Sequence, residues 1–474
     1  MKSNSMRSPR KYDLENSNQK EKHWYQIMTI TVVSLVPLTN GLQLAWTSPF
    51  LVKITQDKEN YDITENETSY FTSIQPAAML LTSIILFNLS DLLGRKTTML
   101  VIAVPQVLAW VLAALATDVY LFYAMKVCAG IAVGMGFASV PMYIGEISSP
   151  SVRGTWGCLF SSGAYLGQFL INLVGNLCSV KVTSYIFVTV PILFFFFLIF
   201  LPESPYFLVM KGKHDEARAA LKVFTRKVDV EAELSILRTD VERQISETGT
   251  WMDLFRIESN RKALVAAVFL AVSQSFGGLT AFIVYVQFFF DKAGGYISAE
   301  LSATFYMGLS FVLNLLVILF VIDRMERKKC YIVSMMPCSI VLMLMAIYLY
   351  IDEFETHIDV SFLNWVPLAG MIIFQIFASF GMAIIPTLML GELFSASVKT
   401  KATTVVMICF GISVTLADYL FYVLYRVSGI YAPILLFGCC NAISTILSFF
   451  LIPETRGKSL EEIQQALKGA MIKN

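Results

Sequence analysis

Three short charged motifs occur twice in the chain, in the same order. Asp91-Leu-Leu-Gly-Arg95-Lys96 returns 232 residues later as Asp323-Arg-Met-Glu-Arg327-Lys328. Gly145-Glu146 returns 246 later as Gly391-Glu392, and Pro202-Glu203-Ser204 returns 251 later as Pro453-Glu454-Thr455. Arg153 and Lys399 lie just beyond the two Gly-Glu pairs. Each set mixes cations with carboxylates, so the chemistry on offer is Coulombic pairing. Bond-breaking chemistry lacks its parts. The three histidines, His23, His214 and His357, stand outside the apolar runs, which leaves no intramembrane metal site and no histidine-based triad. No Gly-x-x-x-x-Gly-Lys-Ser/Thr loop is present to hold a nucleotide phosphate. Charges that pair in one arrangement and part in another can bias a conformational equilibrium. The expectation is a gating network of Asp91, Arg95, Lys96, Glu146, Arg153, Glu203, Asp323, Arg327, Glu392, Lys399 and Glu454, pairing across helices and across two halves of the molecule. The plain alternative is ordinary interfacial charge.

The elements that must carry these charges follow from composition. Of 474 residues, 56% are hydrophobic and only 15% charged, where a soluble domain carries about 25% charge. Lys plus Arg is 36 and Asp plus Glu 35, a near-neutral balance that excludes a basic nucleic-acid binder and an acidic disordered chain. A helix needs about 20 mostly apolar residues to cross a bilayer. Twelve such runs are present, near 27–49, 70–90, 98–117, 120–141, 155–178, 184–201, 262–290, 299–322, 330–351, 363–390, 400–424 and 430–452. No cleavable signal peptide precedes them, because the polar start leads into a run long enough to span. The reading is an all-α membrane protein with twelve transmembrane helices in two six-helix halves, 27–201 and 262–452. A helical linker joins them at 202–261, where Ala217, Ala220, Leu221 and Phe224, then Leu234, Leu237 and Val241, recur at helical spacing. Tails occupy 1–26 and 453–474. The ordered echoes at half-length offsets mark an internal duplication, and parallel six-helix repeats are a transporter architecture.

Of the 36 Lys and Arg, 30 fall in the segments that share a side with the N-terminus. That bias places both termini and the linker in the cytoplasm. Asn66-Glu67-Thr68 then lies outside, making Asn66 a glycosylation candidate, whereas the second sequon, at Asn88, lies on the inner edge. Eight cysteines, mostly within the runs, have no metal-ligand or disulfide-framework spacing and read as small packing residues. No cofactor is called for. The partners expected are a small-molecule substrate and the lipid bilayer, with no nucleic acid and a monomeric state.

As a set, these motifs resemble the sugar porter family of the major facilitator superfamily. They are Asp91…Gly94-Arg95-Lys96, Pro141-Met-Tyr143-Ile-Gly-Glu146 with Arg153-Gly154, Pro202-Glu-Ser-Pro205, Asp323-Arg324, and Pro453-Glu-Thr-Arg-Gly-Lys458. Gly41-Leu-Gln-Leu-Ala-Trp46-Thr-Ser-Pro49 resembles the insect facilitated trehalose transporter branch. The resemblance implies a twelve-helix bundle at the plasma membrane that carries hexoses, disaccharides or polyols. Proton-coupled members place a carboxylate in the first span; this chain has none between Ile27 and Phe50, which favours facilitated diffusion. Asp418 in the eleventh run is the other carboxylate to consider, expected near the outer interface, within reach of water or Arg426.

The resemblance also supplies a candidate sugar site, which departs from the family pattern. Sugar hydroxyls need amide and hydroxyl partners. Gln274 is kept in span 7; Ser275 and Thr280 replace a Gln and an Asn, and Tyr285 remains of an aromatic gate pair. Ser161 stands for a Gln in span 5, Phe311 for a polar residue in span 8, and Phe410-Gly411 for Asn-Trp in span 11. Thr387 follows Ile384-Ile-Pro386 where the family has Pro-x-Pro-Trp. Glu326 replaces the loop glycine and Tyr206 an arginine. Losing a partner for one buried hydroxyl costs about 1–3 kcal/mol. Gln168, two helical turns beyond Ser161, and Asn172 could compensate; helix–helix hydrogen bonding is the alternative role for each. Three readings stay open: a facilitative carrier of trehalose or hexose, a carrier of a less hydroxylated solute, and a non-transporting sugar sensor.

Overall fold

The computed structural model describes residues 23–467 apart from 62, 86–88, 150, 151, 153–155, 247, 248, 321–324, 356, 358 and 459. Twelve long helical spans follow one another: span 1 Trp24–Gln56, span 2 Glu65–Ile85, span 3 Arg95–Leu115, span 4 Val119–Ile147, span 5 Leu159–Leu177 and span 6 Val180–Ile199, then span 7 Glu258–Ala293, span 8 Ala299–Phe320, span 9 Arg327–Phe354, span 10 Ser361–Glu392, span 11 Ala396–Ser428 and span 12 Tyr431–Leu451. Ten of them are long and apolar enough to cross a bilayer. The other two, spans 2 and 5, are more polar, and each packs on a helix of the opposite half, span 2 on span 11 and span 5 on span 8. Protein neighbours rather than lipid let these two helices keep Thr72, Gln75, Gln168 and Asn172. Several helices run past the apolar runs that announced them. Span 3 begins at Arg95, span 9 at Arg327, and span 11 extends to Ser428, because charged side chains at helix ends find partners there.

Four spans are interrupted. Span 1 bends after Val33 and again at Ala45–Trp46, and span 6 is interrupted at Val188. Span 7 breaks at Gly277-Gly278, where Gly278 adopts φ +92, a left-handed conformation that glycine takes without strain. Span 10 breaks between Phe380 and Ile385. A break inside a bilayer frees backbone groups that lipid cannot satisfy. Side chains take them up here. Ser334 Oγ donates to Phe377 O at 2.7 Å and accepts from Met382 N at 3.0 Å, Cys330 Sγ donates to Phe380 O, and Asn441 Nδ2 donates to Gly277 O at 3.0 Å.

The linker forms four helices, Pro205–Met210, His214–Thr225, Glu231–Ser246 and Trp251–Arg256. Ala217, Ala220, Phe224, Leu234 and Val241 are buried in one core with spans 1, 3, 4 and 6, as their spacing indicated, while Leu221 and Leu237 pack at its edge. Gln26 Nε2 ties span 1 to Phe224 O at 3.2 Å. Thr250 and Asp253 form a reciprocal capping box, and its hydrogen bonds hold the Asp253 carboxyl below the usual carboxylate range.

Spans 1 and 5 pack backbone to backbone. A Cβ at Gly167 would run into the Leu38 carbonyl, and one at Gly41 into the Ala164 carbonyl. Small residues at such crossings let two helices approach closely. Gly167→Leu is therefore expected to abolish the monodisperse peak of the detergent-solubilised protein in size-exclusion chromatography. Gly391→Ala, whose Cβ would meet nothing within 4 Å, should leave the peak intact. A normal peak for Gly167→Leu would show that the crossing relaxes.

Candidate functional site

The repeated charges assemble into two clusters of the same design at the linker end of the bundle. In the first, Arg95 Nε lies 3.0 Å from each carboxylate oxygen of Glu146, and Nη2 lies 2.9 Å from one of them. Nη1 reaches Asp91 at 2.9 Å and Ser90 O at 3.0 Å. Ser204 donates to the other oxygen of Glu146, and Tyr206 and Phe207 flank the guanidinium. In the second, Arg327 Nη2 meets Glu392 at 3.2 Å, and Thr455 Oγ1 donates to Glu392 at 2.5 Å. Glu203 and Glu454 do something the charges alone did not announce. Each carboxylate accepts backbone N–H groups at a helix start, Glu203 from Arg95 and Lys96 and Glu454 from Arg327 and Lys328, at 3.0–3.1 Å. An anion at a helix N-terminus satisfies orphan donors and meets the positive end of the dipole. Lys96 Nζ and Lys328 Nζ donate to Ile199 O and Phe449 O, so each ties its own helix to the sixth span of its half. Lys399 Nζ donates to Gly391 O.

All these contacts lie within one half. They brace three spans of each half together, spans 3, 4 and 6 and spans 9, 10 and 12, which is the pairing across helices; the expected pairing across the halves belongs to an arrangement with this end shut. The Arg and Glu of each cluster sit on neighbouring helices of the same repeat. Arg153 and Asp323 lie outside the described residues, as does Asn88.

The expected sugar-site residues form a looser group in the middle of the bundle. Gln274 Nε2 donates to Met382 O at 2.9 Å and Ala383 O at 3.3 Å, so the side chain holds the break in span 10. Ser275 Oγ is buried, bonded to Ala271 O and to Ser413 of span 11 at 3.0 Å. Phe410 lies one turn before Ser413 and is half-buried, as are Phe311 and Thr280. Thr280 Oγ1 and Gln168 Oε1 have no hydrogen-bond partner among the described residues. Ser161 donates to Cys158 O. Asn172 accepts from Ser48 of span 1 at 2.7 Å and donates to Gln168 O, which is the helix–helix role. Thr387 is exposed on the linker-end part of span 10. Tyr285 is away from this group. Its ring stacks on Phe421 at 4.4 Å, and its hydroxyl bonds Thr72 of span 2 at 2.7 Å and Asp418 O at 3.3 Å.

Contacts between the halves gather at the end opposite the linker. Tyr422 donates to Glu65 O at 2.9 Å, Arg426 donates to Asn66 Oδ1, and Asn176 Nδ2 donates to Glu300 O and Thr304. Thr47–Gln56 of span 1 packs on Leu279–Ala293 of span 7. Towards the linker the halves part around a cavity lined by Thr82, Thr98 and Gly134 on one side and Thr403, Thr404 and Met407 on the other. Asp418 is wholly buried, and Arg426 is spent on Asn66; eight residues of helix, about 12 Å, separate the two. The expectation of an interfacial Asp418 served by Arg426 is thus corrected. Lys126, a cation inside the fourth apolar run, is buried too, and its position in such a run is the signal that singles it out.

A twelve-helix bundle of two like-built halves, broken beside a central polar cluster and open between the halves at one end, is a membrane transporter of the secondary type. The chain belongs to the family described as Sugar (and other) transporter, whose model matches residues 16–467. It is 31% identical to the facilitated trehalose transporter Tret1 of Culex quinquefasciatus over 94% of this chain and 86% of that one, and 32% identical to that of Polypedilum vanderplanki over 94% and 88%. It spans 55% of the longer Tret1 of Aedes aegypti. Among solved structures it is similar to the inward open xylose transporter XylE from E. coli, with TM-score 0.75 and 18% identity over 93% of this chain and 99% of that one. The same protein bound to 6-bromo-6-deoxy-D-glucose gives a TM-score of 0.73. The chain is a multi-pass membrane transporter of a small-molecule substrate, not an enzyme.

Removing one member of a buried ion pair costs about 3–5 kcal/mol. The Arg95–Glu146 side chains are 3% and 13% exposed, against 10% and 29% for Arg327–Glu392. Glu146→Gln is therefore expected to lower the melting temperature in detergent more than Glu392→Gln, and thermal unfolding followed by tryptophan fluorescence would measure both. The reverse order would mean that burial does not set the strength of the brace.

Proposed function

We propose that the chain is a facilitative uniporter of sugars, trehalose or a hexose, working by alternating access. The observation that carries this reading is the family match along nearly the whole chain, joined by relatives named facilitated trehalose transporter at 31–32% identity. The lack of a carboxylate in span 1 between Ile27 and Phe50 supports transport without a coupled ion. The Lys and Arg bias supports cytoplasmic termini at the plasma membrane, and the chain acts as a monomer. The closed end is then the outer end, and the conformation is inward-facing. The moving bodies are residues 27–201 and 262–452, each stiffened by its own charge brace, with the linker beneath them.

Sugar is held by Gln274, Ser275, Thr280, Ser161 and Gln168, with Tyr285 closing the outer side and Thr387 on the inner route. Gln168 Oε1 and Thr280 Oγ1 support this, since both are polar atoms without a protein partner. Gln274, Ser275 and Ser161 must exchange present hydrogen bonds for sugar hydroxyls. Asn66 carries the glycan through Nδ2, leaving Oδ1 to Arg426. A second reading, a less hydroxylated solute, rests on Phe311 and Phe410 standing where the family pattern has polar groups.

Uptake of labelled trehalose and glucose by cells displaying the chain tests both. Saturable uptake that is the same at two external pH values is expected. No uptake of either sugar from a well-displayed chain favours the second reading. Gln274→Ala should cut uptake at least tenfold while surface display falls far less. Equal losses would mean that Gln274 only holds the break in span 10.

A further inference from the structure

Away from the helix ends, Lys126 of span 4 and Asp418 of span 11 are ionisable side chains buried among the described residues, one in each half. Lys126 of span 4 is 1% exposed. Its Nζ donates to Thr47 Oγ1 of span 1 at 2.8 Å and Gln75 Oε1 of span 2 at 3.0 Å, and lies 5.0 Å from the centre of the Trp46 ring. All of these neighbours are uncharged. Asp418 of span 11 is 0% exposed, and neither carboxylate oxygen has a hydrogen-bond partner among the described residues. The closeness of the two residues follows from span 2. Gln75 holds Lys126, while Thr72, three residues earlier on the same helix face, holds the Tyr285 hydroxyl that also bonds Asp418 O. Spans 2 and 11 run antiparallel, with Leu80 beside Gly411 below this level and Glu65 bonded to Tyr422 above it.

We propose that Lys126 and Asp418 form an intramembrane ionic latch between the two halves, made when the outer gate is shut and parted when it opens. Among the described residues the Lys126 ammonium is the cation buried at this depth, and it belongs to the opposite half. Opening the outer side separates the charges but admits water to each, so the latch exchanges one compensated state for another. A pair confined to one half would have no such dependence on the cycle. The proposal rests on alternating access but not on which solute is carried.

The experiment reads gate position rather than uptake. A reporter cysteine replaces Thr72, which is buried beneath the closed outer gate, in an otherwise cysteine-depleted full-length chain. A membrane-impermeant maleimide is applied from outside. Asp418→Asn leaves the Lys126 charge unpaired and is expected to raise the labelling rate at least tenfold. Lys126→Met in combination with Asp418→Asn should return it to within about threefold of the parent. Unchanged labelling in Asp418→Asn, or a double variant no closer to the parent than the single, overturns the latch. Should Asp418→Asn fail to reach the surface, recovery of surface display in the double variant supports the pair, and a loss equal to the two single losses combined overturns it. Sugar uptake in the parent chain separately tests the solute reading.

Discussion

Every helix break in this molecule has to be answered by protein, because lipid offers no hydrogen bonds to a freed carbonyl or amide. That constraint organises the second half. Spans 7 and 10 interrupt each other at the same level, and Ser334, Cys330, Gln274 and Asn441 converge there to satisfy Phe377, Phe380, Met382, Ala383 and Gly277. Gln274, Ser275 and Ser161, which a sequence reading assigns to ligand, are therefore backbone partners first. They can serve a transport site only if substrate hydroxyls replace bonds that already exist, whereas Thr280 and Gln168 offer oxygens with no partner among the described residues.

The duplicated charges obey a related rule. A guanidinium at the membrane edge is tolerated when it is fully bonded, and Arg95 is: Glu146, Asp91 and Ser90 take its donors and two aromatic rings cover its faces. Glu203 and Glu454 solve a different problem, the unpaired amides at the starts of spans 3 and 9. Together these contacts stiffen each half at its linker end, and each of them joins helices of one half. Stiff halves with an open seam can rock as bodies.

Much of this was legible in the chain. The apolar runs located the spans, and the repeated motifs located Arg95, Glu146, Arg327 and Glu392, because charge at fixed spacing is a strong signal in an apolar sequence. What was not legible were the partners. Which helix Glu146 faces depends on how spans 3, 4 and 6 pack, and that is tertiary information. Gln274 was found, but its bond to the span 10 break depends on backbone conformation around Gly381. The apolar run of span 11 ends at 424 and so suggests a shallow Asp418. The helix continues to Ser428 and carries Asp418 about 6 Å deeper than that boundary implied.

The buried pair of Lys126 and Asp418 cannot be explained by stability. Taking two charges out of water costs several kcal/mol each, and well-packed apolar side chains would serve a static core equally well or better. Among the described residues the carboxylate also has no hydrogen-bond partner of the kind that makes such pairs favourable, while the ammonium spends donors on Thr47 and Gln75. A pair this poorly compensated within its own halves stores a difference between arrangements rather than a reserve of stability. Two bodies that must alternately meet and part at this level make use of that difference, since the energy of the pair then changes with the angle between them.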